Sequence, residues 1–288
     1  MQKLNIPSHD ETGETLDGEL YEADSDKFAL LLQGAGAMGK MWRPKAKEFA
    51  DRGINTMIAE YRMGESGKEV NFMKHREDTK AMLEFAEQEL GFEVRNVIAH
   101  CYGGSHAIAN AENINGKMIL ETPFLNALSF ISKNKQITSR YLLPAIVDML
   151  GLKTDIKLAD KEGLYRHPSA EKYNELDKQE NLGWKNACLA RELMRCPVNF
   201  PITPKNKAIL KDKAQSGDLA FVNPMDDPII NPNMTKRFAE KLGAPRFDKP
   251  VGHFGVYDDK DLFDFEVNFL KDNSREEIKE FYYNLTTV

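Results

Sequence analysis

The sequence predicts an α/β protein in which a mostly parallel sheet carries helices on both faces, with a helical cap inserted between its later strands. Three observations lead there. Up to residue 124, short apolar runs alternate with longer helical patterns, the rhythm of strands buried on both sides of a parallel sheet. From about residue 125 to 212 the pattern is mostly helical and loop-like, so the strand rhythm lapses. It returns with "GDLAFVN" and closes on an apolar-faced helix. The implied organisation is one sheet domain in two pieces, 1–124 and 213–288, around a cap at 125–212, the second piece ending in a helical tail.

Each element has a local reason. "FALLLQ" (28–33) is a buried strand running into a glycine-rich turn. "KAKEFADRG" (45–53) is a helix stopped by its glycine, which accepts the left-handed backbone of a helix end. "INTMIAEYR" (54–62) is a strand, "EDTKAMLEFAEQEL" (77–90) a helix and "VRNVIAHC" (94–101) a strand. "SHAIANAENI" (105–114) then reads as helix and "KMILETPF" (117–124) as strand. In the cap, "ITSRYLLPAIVDMLGL" (137–152) is apolar on more than one face, and "NLGWKNACLARELMRC" (181–196) is amphipathic. The closing piece supplies the helix "NMTKRFAEKLG" (233–243), a loop around "PVGHFG" (250–255) and the helix "DLFDFEVNFLKD" (261–272).

At 288 residues the chain is long enough to bury a full core without staples. Its 29% charged and 41% hydrophobic residues describe an ordinary globular protein, not a disordered one. A net charge of −6 gives no general attraction to nucleic acid or anionic membrane. The first 28 residues lack the apolar core of a secretory signal. No run reaches the roughly 18 apolar residues of a transmembrane segment. Three cysteines, Cys101, Cys188 and Cys196, form no metal-type CxxC pair. Free thiols in a cytoplasmic setting are expected, with no metal and no cofactor.

"GAGAMG" (34–39) matches G-x-G-x-x-G, and Glu60 closes the next strand, which is the fingerprint of a dinucleotide-binding oxidoreductase. That reading needs a helix starting near the second glycine, which would bury Pro44 inside it, where proline lacks a donor and clashes. A longer turn with the helix starting near Pro44 suits proline better. A P-loop reading fails at Met41, where Ser or Thr is required to hold magnesium.

At "AHCYGG" a strand meets a helix at Cys101, with small residues, Ala99 and Gly103, two positions to either side. This is the G-x-S-x-G elbow with alanine for the first glycine and cysteine for serine. Such a corner exposes the sulfur at a helix start, where the dipole favours thiolate. The plain alternative is a cysteine packed as a small hydrophobe. An elbow predicts a later acid and, after it, a histidine. "LAFVNPMDDPIINP" places Asp227 and its neighbour Asp226 at a strand end, with Asp227 preferred; His253 follows in "PVGHFG". Either aspartate also suits a plain turn beside proline, and His100 and His106 flank the elbow as competing bases.

These segments resemble the α/β-hydrolase superfamily, and within it the monoglyceride-lipase and lysophospholipase branch. "LLQGAGAMGKMW" is similar to that branch's oxyanion segment, "AHCYGG" to its elbow, "MDDPIINP" to its acid turn and "GHFG" to its histidine loop, over about residues 27 to 272. Gln33 departs from the usual histidine and Cys101 from the usual serine. The resemblance implies an α/β-hydrolase fold with a cap, and an acyl ester or thioester hydrolase using Cys101, Asp227 and His253. Backbone N–H groups of Ala35 and Tyr102 would form the oxyanion hole. The partner would be a small acyl substrate, with a carrier-bound acyl group among the candidates. An acyltransferase with the same residues and a non-catalytic ligand-binding protein of this fold stay open beside it.

Overall fold

Eight strands form one sheet in a computed structural model that describes residues 1–9, 13–34, 39–62, 72–125, 202–227 and 230–271. They are β1 (Gln2–Pro7), β2 (Thr15–Tyr21), β3 (Phe28–Leu32), β4 (Asn55–Ala59), β5 (Asn96–His100), β6 (Met118–Glu121), β7 (Leu219–Pro224) and β8 (Arg246–Lys249). Their spatial order is β1-β2-β4-β3-β5-β6-β7-β8. β2 pairs antiparallel with both β1 and β4, and every pair from β4 to β8 is parallel.

The apolar runs are continuous because the central strands face two cores. Phe28, Leu30, Val97, Ala99, Met118, Leu120, Leu219 and Phe221 point to one side. Ala29, Leu31, Ile98, Ile119, Ala220 and Val222 point to the other. The first side is covered by α2 (Phe72–Gln88), α3 (Tyr102–Ala109), α4 (Pro204–Ser216) and α5 (Pro232–Leu242). The second is covered by α1 (Arg43–Asp51) and α6 (Lys260–Lys271). α1 begins after a short 3-10 turn, Gly39–Trp42, and carries Pro44 in its first turn. The long-turn reading of that stretch therefore describes the chain, and Gly53, with φ of 79°, follows the helix end.

Two strand regions had no counterpart in the sequence reading. β1 and β2 form an N-terminal hairpin whose Leu4, Ile6, Leu16 and Leu20 are buried, and β8 is a four-residue edge strand. α4 runs across the expected 212/213 boundary, and its Leu210 and Ala214 pack in the sheet's first core. The interior of the expected cap, 126–201, and the tail, 272–288, lie outside the described residues. No helix among the described residues is long and apolar enough to cross a membrane.

On the α1/α6 face, Lys45 is fully buried between two carboxylates, with Nζ at 2.5 Å from Glu121 and 2.9 Å from Glu266. Burial pushes the Glu266 carboxyl well above the usual range, against the pull of Lys45, and its contact with Glu121 pushes the same way. Burial also works against the Lys45 charge, but the two carboxylates outweigh it and hold the ammonium above its ordinary value. The cluster ties α1, β6 and α6 beneath the carboxyl ends of the strands.

Candidate active site

β5 ends at His100 and α3 starts at Tyr102, so Cys101 alone makes the turn between them. Its φ is 50° and its ψ −111°, outside the regions an L-residue adopts without strain. The strain is locked in by contacts. Cys101 N–H donates to Glu121 O at 2.9 Å, and Cys101 O accepts from Gly104 N at 3.1 Å and Phe124 N at 2.8 Å. The glycine after the corner is obligatory: a Cβ on Gly103 would lie 2.4 Å from the main-chain oxygen of Leu32. On Gly34 it would lie 3.0 Å from His100 Nδ1 and 3.3 Å from Cys101 Cβ, so the turn after β3 passes directly beside the elbow.

The acid comes from the end of β7. Asp227 is buried while Asp226 is exposed, and three donors among the described residues hold the Asp227 carboxylate. Ile230 N donates to Oδ1 at 2.9 Å, Thr122 Oγ1 donates to Oδ2 at 2.8 Å, and His253 Nδ1 meets Oδ2 at 2.7 Å. His253 sits in the loop between β8 and the 3-10 turn Gly255–Tyr257. Its side chain also hydrogen-bonds Cys101. With Nδ1 committed to Asp227, Nε2 is the nitrogen left for the sulfur. Burial alone would depress the imidazole, but Asp227 and Cys101 overcome it and raise its pKa to about 10. The chain thus brings Cys101, His253 and Asp227 together in one hydrogen-bonded row.

The competing histidines are engaged elsewhere. Burial holds His100 well below its ordinary value, aided by the charges of His253 and Lys45, so the ring is neutral. Its Nε2–H donates to His253 O at 3.0 Å, which makes Nδ1 the acceptor for Tyr257 OH at 2.8 Å. His106 is also held low, chiefly by burial, and packs against the Tyr102 ring at 4.3 Å.

Tyr102 opens α3, whose first-turn N–H groups point back toward the corner. Its hydroxyl lies 3.1 Å from His75 Nδ1, and His75 Nε2 lies 2.8 Å from Arg62 O. Ala35 lies outside the described residues. The ends of its segment are tied by one side chain: Glu60 accepts from Gln33 Nε2 at 2.7 Å and from Gly39 N. Glu60, the acid a dinucleotide site would aim at a ribose, is thus turned onto the loop itself. The helix that should cradle a pyrophosphate starts only at Arg43.

Sequence reasoning did not find Thr122, nor the hold that His100 and Tyr257 have on the histidine loop. Thr122 and Cys101 are the only non-glycine residues with positive φ among the described residues.

Solved structures match the fold along almost the whole chain. A bromoperoxidase from Bacillus anthracis is 12% identical with a TM-score of 0.67, over 94% of this chain and all of that one. An esterase from Exiguobacterium antarcticum is 14% identical with a TM-score of 0.64, over 93% of this chain and 100% of its own. An enol-lactonase from Burkholderia xenovorans LB400 is 12% identical with a TM-score of 0.63, over 91% and 98%. The chain has the α/β-hydrolase fold. No protein-family model and no curated protein matches its sequence. At these identities the likeness is one of fold, so the chemistry of this α/β-hydrolase-fold protein must be argued from its own residues.

Proposed function

We propose that the protein hydrolyses an acyl ester or thioester through a covalent acyl-cysteine intermediate. The observation that carries this is the row in which the His253 imidazole bonds Asp227 at 2.7 Å on one side and Cys101 on the other. The Cys101 sulfur attacks the acyl carbonyl carbon, forming a C–S bond and a tetrahedral oxyanion. Any thiol proton passes to His253 Nε2, while Asp227 holds the imidazole in place and supports its charge. The N–H groups of Tyr102 and Ala35 are the proposed oxyanion donors, each worth about 3 kcal/mol in sites of this kind. Collapse of the oxyanion breaks the bond to the leaving alkoxide or thiolate, which takes the proton from His253. Water, deprotonated by His253, then cleaves the thioester and returns the sulfur.

The four motifs similar to the monoglyceride-lipase and lysophospholipase branch favour an acyl substrate, as do an esterase and an enol-lactonase among the structural neighbours. Cysteine in place of serine favours a second reading on the same residues. A thioester intermediate stays open to alcohol, amine or thiol acceptors, which would make the protein an acyltransferase, with a carrier-bound acyl group as one donor.

The test is a panel of p-nitrophenyl esters and acyl thioesters, with intact mass to find an acyl adduct on Cys101. Turnover that vanishes in Cys101→Ala, with an adduct in the wild type, supports the mechanism. Undiminished turnover without an adduct removes it. A thiol that reacts with alkylating agents no faster than free cysteine, and is unaffected by His253→Ala, would favour a non-catalytic binding protein.

A further inference from the structure

We infer that Thr122 is a positioning residue for this site, its hydroxyl fixing Asp227 at the very oxygen that pairs with His253. The inference rests on the reading of Cys101, His253 and Asp227 as the reacting row. Thr122 follows β6 directly, beside Cys101 on the neighbouring strand, since His100 and Glu121 are register partners. Its N–H donates to Val222 O at 2.9 Å on β7, so its backbone spans the gap between the elbow strand and the acid strand. That backbone carries a φ of 40°. For a β-branched residue this is a true outlier, because Cβ crowds the backbone in the left-handed region that glycine occupies freely.

Glycine would satisfy the same backbone without the strain, and valine would fill the same volume. What threonine adds to valine is the Oγ1–H donated to Asp227 Oδ2 at 2.8 Å. With Ile230 N on Oδ1 and His253 Nδ1 on Oδ2, this donor prevents the carboxylate from rotating about its own bond away from the imidazole. A strained residue retained at a reacting centre is the pattern expected where geometry is held at the expense of stability.

Three variants separate this from a structural role. Thr122→Gly relieves the backbone strain but removes the hydroxyl, so it should lose activity. Thr122→Val should lower kcat about ten-fold with KM little changed, as loss of one buried donor does, and Thr122→Ser should restore it. A readout independent of substrate is the titration of the His253 imidazole by 15N NMR. With the carboxylate free to turn away, Asp227 supports the imidazolium less, so the midpoint should fall in Thr122→Val and stay in Thr122→Ser. An unmoved or raised midpoint in Thr122→Val, or wild-type turnover in Thr122→Gly, overturns the inference. Asp227→Asn serves as the control. If it lowers the midpoint while Thr122→Val does nothing, only the role of Thr122 falls; if it too changes nothing, the reading of the row falls with it.

Discussion

His100 Nε2 donates to the main-chain oxygen of His253 at 3.0 Å, so the residue before the proposed nucleophile holds the loop that carries the proposed base. Tyr257, four residues beyond that base, closes the link from the other side through His100 Nδ1. His100→Phe keeps the ring's bulk and removes both bonds. It should reduce kcat by about ten-fold with a smaller change in KM, since the loss falls on orientation and not on substrate binding. Steady-state kinetics on any substrate found with the panel checks this.

His253 makes stability depend on pH in a definite window. Its folded value, about 10, lies above the ordinary histidine value of 6.5. The stabilisation from its charged form is therefore complete below about pH 6.5 and fades as the pH rises through 10. Urea denaturation at intervals between these limits should give a falling contribution from this group. In Asp227→Asn that fall should flatten, because the imidazole loses its main support.

Cys101→Ser probes the same support from the other partner. A serine hydroxyl stays neutral, so the share of the raised value owed to the Cys101 charge disappears and the His253 titration should move below about 10. An NMR titration of both proteins reads the difference directly. A midpoint unchanged by the substitution would mean that Asp227 alone sets it.

Lys45→Met should destabilise the protein by about 3–5 kcal/mol, because it leaves two buried carboxyl groups facing each other without their cation. Equilibrium urea unfolding measures this. Adding Glu266→Gln to Lys45→Met should recover part of the loss by removing one ionisable group from the face.

Much of this site was legible because the relevant signals are local. The Cys101 corner is announced by Ala99 and Gly103, and the close approach of Gly103 to Leu32 O explains why glycine is needed there. Asp227 and His253 follow from chain order once the corner is accepted. The hairpin of β1 and β2 escaped because its apolar phase is thin, only Leu4 and Ile6 on β1 and Leu16 and Leu20 on either side of Gly18 on β2. β8 escaped because only Phe247 of its four residues is buried, so pairing with β7 makes it a strand and not its own composition. Thr122 reaches Asp227 across 105 positions and Tyr257 reaches His100 across 157. No pattern in a short window can register contacts that only the finished sheet creates.

The Lys45 cluster also bears on how the chain is made. A nascent polypeptide that has left the ribosome only as far as β6 already holds Lys45 and Glu121, yet lacks Glu266 and the phenylalanine-rich wall of α6. Until α6 emerges, the α1 face of the sheet lacks the phenylalanines that cover it in the folded protein. Synthesis of α6 is then the event that completes the cover over the first half of the protein as well as the second.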